Sequence, residues 1–103
     1  MPTTITRKRI EILLDAPLLP QVAALLEAAG VNGHTVIAAQ SGHSRAGEWS
    51  EDALTGAASK LLVMALANAE ASARLTELIA PLLDSHRLLL AIGEVEVVRG
   101  DRF

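Results

Sequence analysis

Cysteine and tyrosine are both missing from these 103 residues, and Trp49 and Phe103 are the only aromatic side chains. Without cysteine the chain has no disulfide staple, no thiolate ligand for a metal and no thiol nucleophile, which suits a reducing compartment. Two aromatics leave no row of stacking platforms for single-stranded nucleic acid. Positive charge is also short. Nine Lys and Arg against 12 Asp and Glu give a net charge of −3, so no global field draws in phosphate backbones. Nucleic-acid binding is therefore not expected. Long apolar runs are lacking too, because Pro, Glu or Gly breaks each one well short of the ~20 residues that a membrane-spanning helix needs. Met1–Thr6 and the following Arg7-Lys8-Arg9 contain no apolar core of a secretion signal. A cytoplasmic domain without membrane insertion is expected.

What the chain does have is apolar content: 50% of its residues are hydrophobic and the mean hydropathy is +0.35. That composition excludes intrinsic disorder. The length suits one domain spanning residues 1–103. A domain this small needs a polar coat, yet it is apolar on average, which points to apolar surface buried between subunits.

Arg9–Leu14 alternates polar and apolar residues and then becomes fully apolar, the pattern of a strand. Pro20 suits the first turn of a helix, and Leu18, Val22, Leu25, Leu26 and Ala29 form its apolar face. Gly30 stands where a helix-stopping glycine belongs, Asn32-Gly33 makes a turn, and Thr35–Ala39 reads as a short strand. Ser41–Ser59 has no sustained periodicity and reads as a long loop, a length usually reserved for function. Lys60–Ala67 is an apolar run of strand length. Asn68 can cap a second helix whose stripe is Ala71, Leu75, Leu78, Ile79 and Leu82, with Pro81 expected to kink or end it near Ala80. Leu88–Val98 reads as one long strand, or as two broken by a bulge at Gly93. The order βαβ–loop–βαβ predicts an α+β fold: a ferredoxin-like split βαβ-βαβ sandwich, an antiparallel sheet with two helices on one face. On the uncovered face Glu11, Glu94 and Glu96 are expected to supply polarity, against an apolar set from Leu61, Val63 and Ala65 or their alternates.

Gly30-Val31-Asn32-Gly33-His34-Thr35-Val36 resembles a Gly-(Ile/Val)-x-Gly-x-Thr-Val segment of PII signal-transduction proteins, where it likewise separates the first helix from a long loop. Ser41-Gly42-His43-Ser44-Arg45-Ala46-Gly47-Glu48-Trp49 is similar to the loop base of the carboxysome-associated PII branch. The closing Glu94–Val98 strand and the Arg99–Phe103 tail resemble the same group, so the likeness runs over residues 8–103. It implies a homotrimer that binds adenine nucleotides in clefts between subunits and signals through the long loop, the T-loop, to a protein target such as a transporter or enzyme. For the carboxysome-associated branch the implied ligands are ADP or AMP with bicarbonate, the setting is inorganic carbon metabolism, and no tightly bound cofactor is expected.

Three departures narrow this picture. The absence of tyrosine excludes uridylylation of a T-loop tyrosine. The glycine-rich phosphate loop of nitrogen-regulatory members is replaced by Asp84-Ser85-His86-Arg87. The basic tail pair is Arg99 and Arg102, spaced Arg-x-x-Arg rather than Arg-x-Arg. Fewer phosphates, hence ADP or AMP, are favoured, and Ser44 stands where a glycine is expected. The resemblance makes Thr35 the adenine contact. Gly42, His43 and Ser44 become a small-residue phosphate cradle, with Arg45, Arg99 and Arg102 as phosphate cations. From the residues alone, Ser41–Ser44 reads as a flexible loop without a ligand, and only the resemblance reverses that reading. Gly47, Glu48 and Trp49 form a partner-binding segment, and Trp49 either anchors a partner or packs within the loop. His34, His43 and His86 suit metals, yet no pair stands at helical i, i+4 spacing, so no metal site is assigned. A second reading keeps those histidines in a metal-responsive protein similar to divalent-cation tolerance proteins. A third, a small oligomeric enzyme, has only the loop histidines as acid–base groups, and no catalytic residue is assigned.

Overall fold

In a computed structural model, which describes residues 3–44, 47–50 and 59–98, the chain opens with a twelve-residue strand, β1 (Thr4–Asp15). A single 3-10 turn (Ala16–Leu18) leads into helix α1 (Leu19–Ala29), followed by strand β2 (Thr35–Ala39). Two short strands, β3 (Ser41–Ser44) and β4 (Gly47–Ser50), come next. Strand β5 (Lys60–Ala67), helix α2 (Ala69–Ser85) and strand β6 (Leu89–Val98) complete the order. The four long strands form one antiparallel sheet in the order β2-β5-β1-β6, with both helices on one face, the ferredoxin-like sandwich. Among the described residues no helix is long and apolar enough to cross a membrane.

The local signals act as their chemistry dictates. Pro20 lies in the first turn of α1, where its missing N–H costs no hydrogen bond. Gly30 ends α1 at φ +89°, and the Gly30 and Val31 amides donate to the carbonyls of Glu27 and Leu26. Asn68 Oδ1 accepts from the Ala71 amide at 2.8 Å and so satisfies one of the orphan donors that open α2.

The core lies between the sheet and the helices. Ile10, Ile12 and Leu14 of β1 and Val63 of β5 are fully buried against Val22 and Leu26 of α1 and Leu75 and Ile79 of α2. Each such side chain contributes roughly 1.5–3 kcal/mol of transfer free energy.

Four features correct the sequence reading or settle an alternative it left open. The 41–59 segment is not loop throughout: Ser41–Ser44 pairs antiparallel with Gly47–Ser50. That ladder satisfies its own backbone without an apolar stripe against the core, so hydrophobic periodicity does not reveal it. Helix α2 does not end at Ala80 but continues through Pro81 to Ser85. Strand β6 is unbroken, with Gly93 in register opposite Arg9 rather than at a bulge. Finally, Glu94 and Glu96 lie opposite Lys8 and Thr6, on the Ile10 side of the sheet, and Lys8 Nζ meets Glu94 at 3.1 Å. Of the three glutamates only Glu11 is on the open face, paired there with Arg9 at 3.1 Å.

Arg7, Asp15, Lys60 and Thr35 share that open face, and the rest of it is apolar. Pairing carries one row across all four strands, Ile37, Leu62, Leu13 and Leu89, so the alternates of Val63 and Ala65 supply its surface. At one end of the sheet Lys60 and Asp15 are register partners, their side chains 2.6 Å apart, and the Ala16 amide donates to Ser59. This clasp fixes where the chain re-enters the sheet after the long segment.

Candidate functional site

Register creates a pocket. Strand β2 begins at Thr35, opposite Met64, whereas β5 runs on to Ala67. Ala65–Ala67 therefore have a strand partner on the β1 side and none on the β2 side, which leaves a length of backbone edge open for hydrogen bonding. The turn from Gly30 to Thr35 curves over this edge, and Asn68 at the start of α2 closes the end. Together they enclose about 360 Å³, with Met64 and Leu66 as the larger apolar parts of the lining. An apolar bed beside unsatisfied backbone suits a flat heterocycle bearing donors and acceptors on its rim.

Among the described residues no Lys, Arg, Asp or Glu lines this pocket, and His34 is the one ionisable residue of that lining. The Arg74 guanidinium lies nearby, 3.6 Å from where a Cβ on Gly30 would stand. On the other side of the Asn32–His34 turn, Pro20, Ala23, Ala24 and Glu27 of α1 border a shallower hollow of about 640 Å³. A third hollow of about 260 Å³ lies on the open sheet face, where Gly93 leaves space beside Arg9 and Glu11.

Of the residues singled out in the sequence, Thr35 stands in the first pocket. Gly42, His43 and Ser44 lie on β3, in register with Trp49, Glu48 and Gly47 of β4, and Gly42 and His43 are not among the described lining residues of these three hollows. Arg45, Arg99 and Arg102 lie outside the described residues. Among the described residues no group of three or more His, Asp or Glu is placed to hold a metal. His86 lies at the end of α2, its Nδ1 2.7 Å from Ser85 Oγ. Met64, Leu66 and Asn68 are the pocket residues the sequence reading overlooked. Some thirty positions separate them from Thr35, and only strand register joins them.

A family model described as nitrogen regulatory protein P-II matches residues 7–102. A search of curated proteins gives no match. Among solved structures, CPII from Thiomonas intermedia K12, described as a nitrogen regulatory PII-like protein bound to ADP, AMP and bicarbonate, is 22% identical with a TM-score of 0.88. That alignment covers 98% of this chain and 96% of CPII. CPII bound to ADP and bicarbonate is 25% identical, covering 98% and 97%, with a TM-score of 0.84. A PII-like signalling protein from Thermus thermophilus is 16% identical, covering 97% of each chain, with a TM-score of 0.82. The fold also recurs in LarC2, the C-terminal domain of a cyclometallase involved in synthesis of the NPN cofactor of lactate racemase. There the identity is 18% and the TM-score 0.60, over 92% of this chain and 58% of that one.

Proposed function

Because the chain belongs to the nitrogen regulatory protein P-II family, we propose that it is a sensor of adenine nucleotides, ADP or AMP ahead of ATP, read together with bicarbonate in clefts between the subunits of a homotrimer. The observation that carries this reading is the open β5 edge beyond Met64, with Thr35 on one side and apolar Met64 and Leu66 in the lining. A purine presents donors and acceptors along its rim and an apolar face, and the pocket offers the complement of both. CPII, described with ADP, AMP and bicarbonate bound, supports the same ligand class.

The described lining of the pocket has no cation, and in this reading the phosphates extend beyond it. In this reading they run past the exposed edge strand β2 toward Gly42, His43 and Ser44, and Arg45, Arg99 and Arg102 neutralise them. Guanidinium groups suit that task because their planar fork binds phosphate oxygens two at a time. The replacement of the glycine-rich phosphate loop by Asp84–Arg87 favours the shorter nucleotides. The apolar row Ile37, Leu62, Leu13 and Leu89 is the surface on which subunits meet, and the clefts form at their margins.

Signalling is a population shift rather than a reaction. Ligand binding favours one arrangement of the T-loop, and a protein target in inorganic carbon metabolism reads that arrangement through Gly47, Glu48 and Trp49. The protein acts in the cytoplasm, in association with the carboxysome, and catalyses no reaction of its own.

Titration calorimetry with ADP, AMP and ATP tests the reading. Saturable binding at micromolar concentration is expected for ADP or AMP, with ATP weaker. Arg99→Ala and Arg102→Ala are each expected to reduce affinity by roughly tenfold, the loss of one charge-assisted contact. Absence of heat with any nucleotide up to millimolar concentration sinks the proposal.

A further inference from the structure

His34 stands on a ridge between two hollows. On one side is the pocket beside Thr35, on the other the hollow against α1, and His34 is exposed. The charged surroundings are unequal. From α1, Glu27 lines the hollow that His34 shares. From α2, Arg74 lies beside Gly30 and is paired at 3.5 Å with Glu70. Strand β2 and the end of β5 from Met64 to Ala67 contribute no ionisable side chain. The described residues beside His34 in the pocket are thus neutral, and the carboxylate of Glu27 belongs to the other hollow.

Imidazole is the side chain whose charge ordinarily changes between about pH 5 and 8. Two effects make its charge matter to a ligand lying on the β5 edge. A ring seated there removes water from the imidazole, and loss of water penalises the charged form. The neutral ring also offers one donor and one acceptor to a heterocycle, whereas the charged ring offers donors alone. Resting on the nucleotide reading above, we propose that His34 makes occupancy of this pocket pH-dependent, with the ligand's base binding the neutral imidazole in preference to the charged one. Acidification then empties the site, and the protein reports nucleotide and proton concentration together. By linkage, binding at a pH where the free imidazole is partly charged releases protons from the protein. The sign also identifies which part of the ligand lies here, since a phosphate against His34 reverses it.

Calorimetric titration of ADP and AMP between about pH 5.5 and 8, on the wild type and on His34→Gln, tests the inference. The wild type is expected to bind roughly fivefold to tenfold more weakly at the acid end, a change of about one unit of linked ionisation. Glutamine keeps a neutral polar side chain at every pH, so the variant retains only the shallower dependence that the ligand's own phosphate contributes. Titrations near pH 6 in two buffers of different ionisation enthalpy give the protons released, expected to be greater for the wild type than for the variant. Equal pH profiles for the two proteins overturn the inference, as does tighter wild-type binding in acid relative to the variant. A wild type that binds no nucleotide at any pH overturns the functional reading itself, an outcome distinct from pH-independent binding.

Discussion

At Gly30 the backbone takes φ +89°, a conformation that costs a side-chain-bearing residue about 1–2 kcal/mol. Space is not the constraint, because a Cβ there meets only Arg74 at ordinary contact distance. Gly30→Ala is therefore expected to lower unfolding free energy by about 1–2 kcal/mol in urea titration, with an unchanged slope. Thr35 lies at the start of an exposed edge strand and is not part of the core. Thr35→Val keeps the shape, removes the hydroxyl, and is expected to leave stability nearly unchanged while weakening ADP binding about fivefold. Equal affinity in calorimetry removes Thr35 from the site. Residue-scale signals of this kind were legible from the chain: Gly30 as a helix stop and Asn68 as a cap each act through neighbours within three or four positions. His34 was also visible, but as a metal candidate. Its single-ionisable-group setting depends on β5 residues about thirty positions away.

Among the elements, α2 shows where local rules yield. Pro81 removes one hydrogen bond, and proline inside a helix costs about 3 kcal/mol relative to alanine. Beyond it Leu82 and Leu83, both partly buried, pack against the core and each contribute a fraction of the roughly 1.5–3 kcal/mol of a fully buried side chain. The His86 amide and Ser85 hydroxyl still donate to the carbonyls of Leu82 and Pro81. Packing and these bonds together offset the cost of Pro81, and the helix continues. Pro81 and Glu77 are both exposed, so water can satisfy the carbonyl that Pro81 leaves unpaired. Pro81→Ala is expected to raise the unfolding free energy by about 1–3 kcal/mol, measured by denaturant titration. The same stripe shows a limit of period counting: Ala71, Leu75 and Ile79 are buried, whereas Leu78 is 38% exposed at its margin. The β3–β4 ladder was illegible for the opposite reason, since its stabilisation comes from backbone pairing and leaves no apolar period in Ser41–Ser50.

For the whole molecule, the sheet has one face packed by helices and one that carries an apolar row across every strand. Leu62 lies in the middle of that row, between Ile37 and Leu13, and outside the buried core. If the proposed trimer meets on this row, Leu62→Glu is expected to shift it toward monomer in light scattering while cooperative unfolding persists, because a buried unpaired carboxylate opposes association far more than it perturbs a solvated sheet face. A variant that remains trimeric places the subunit contact elsewhere. Composition pointed to such a surface, since a small domain that is apolar on average has little polar coat to spare. Periodicity and capping determined the order of strands and helices, because each depends on contacts a few positions apart. Tertiary structure decided which face each strand residue occupies, which is why Glu94 joins Lys8 while Leu62 meets the open side. It also decided that β5 outruns β2 by three residues and so opens a pocket beside His34 and Thr35. Register is a relation between distant segments, and a one-residue slip exchanges every inward side chain for an outward one. No local pattern in either strand specifies it alone.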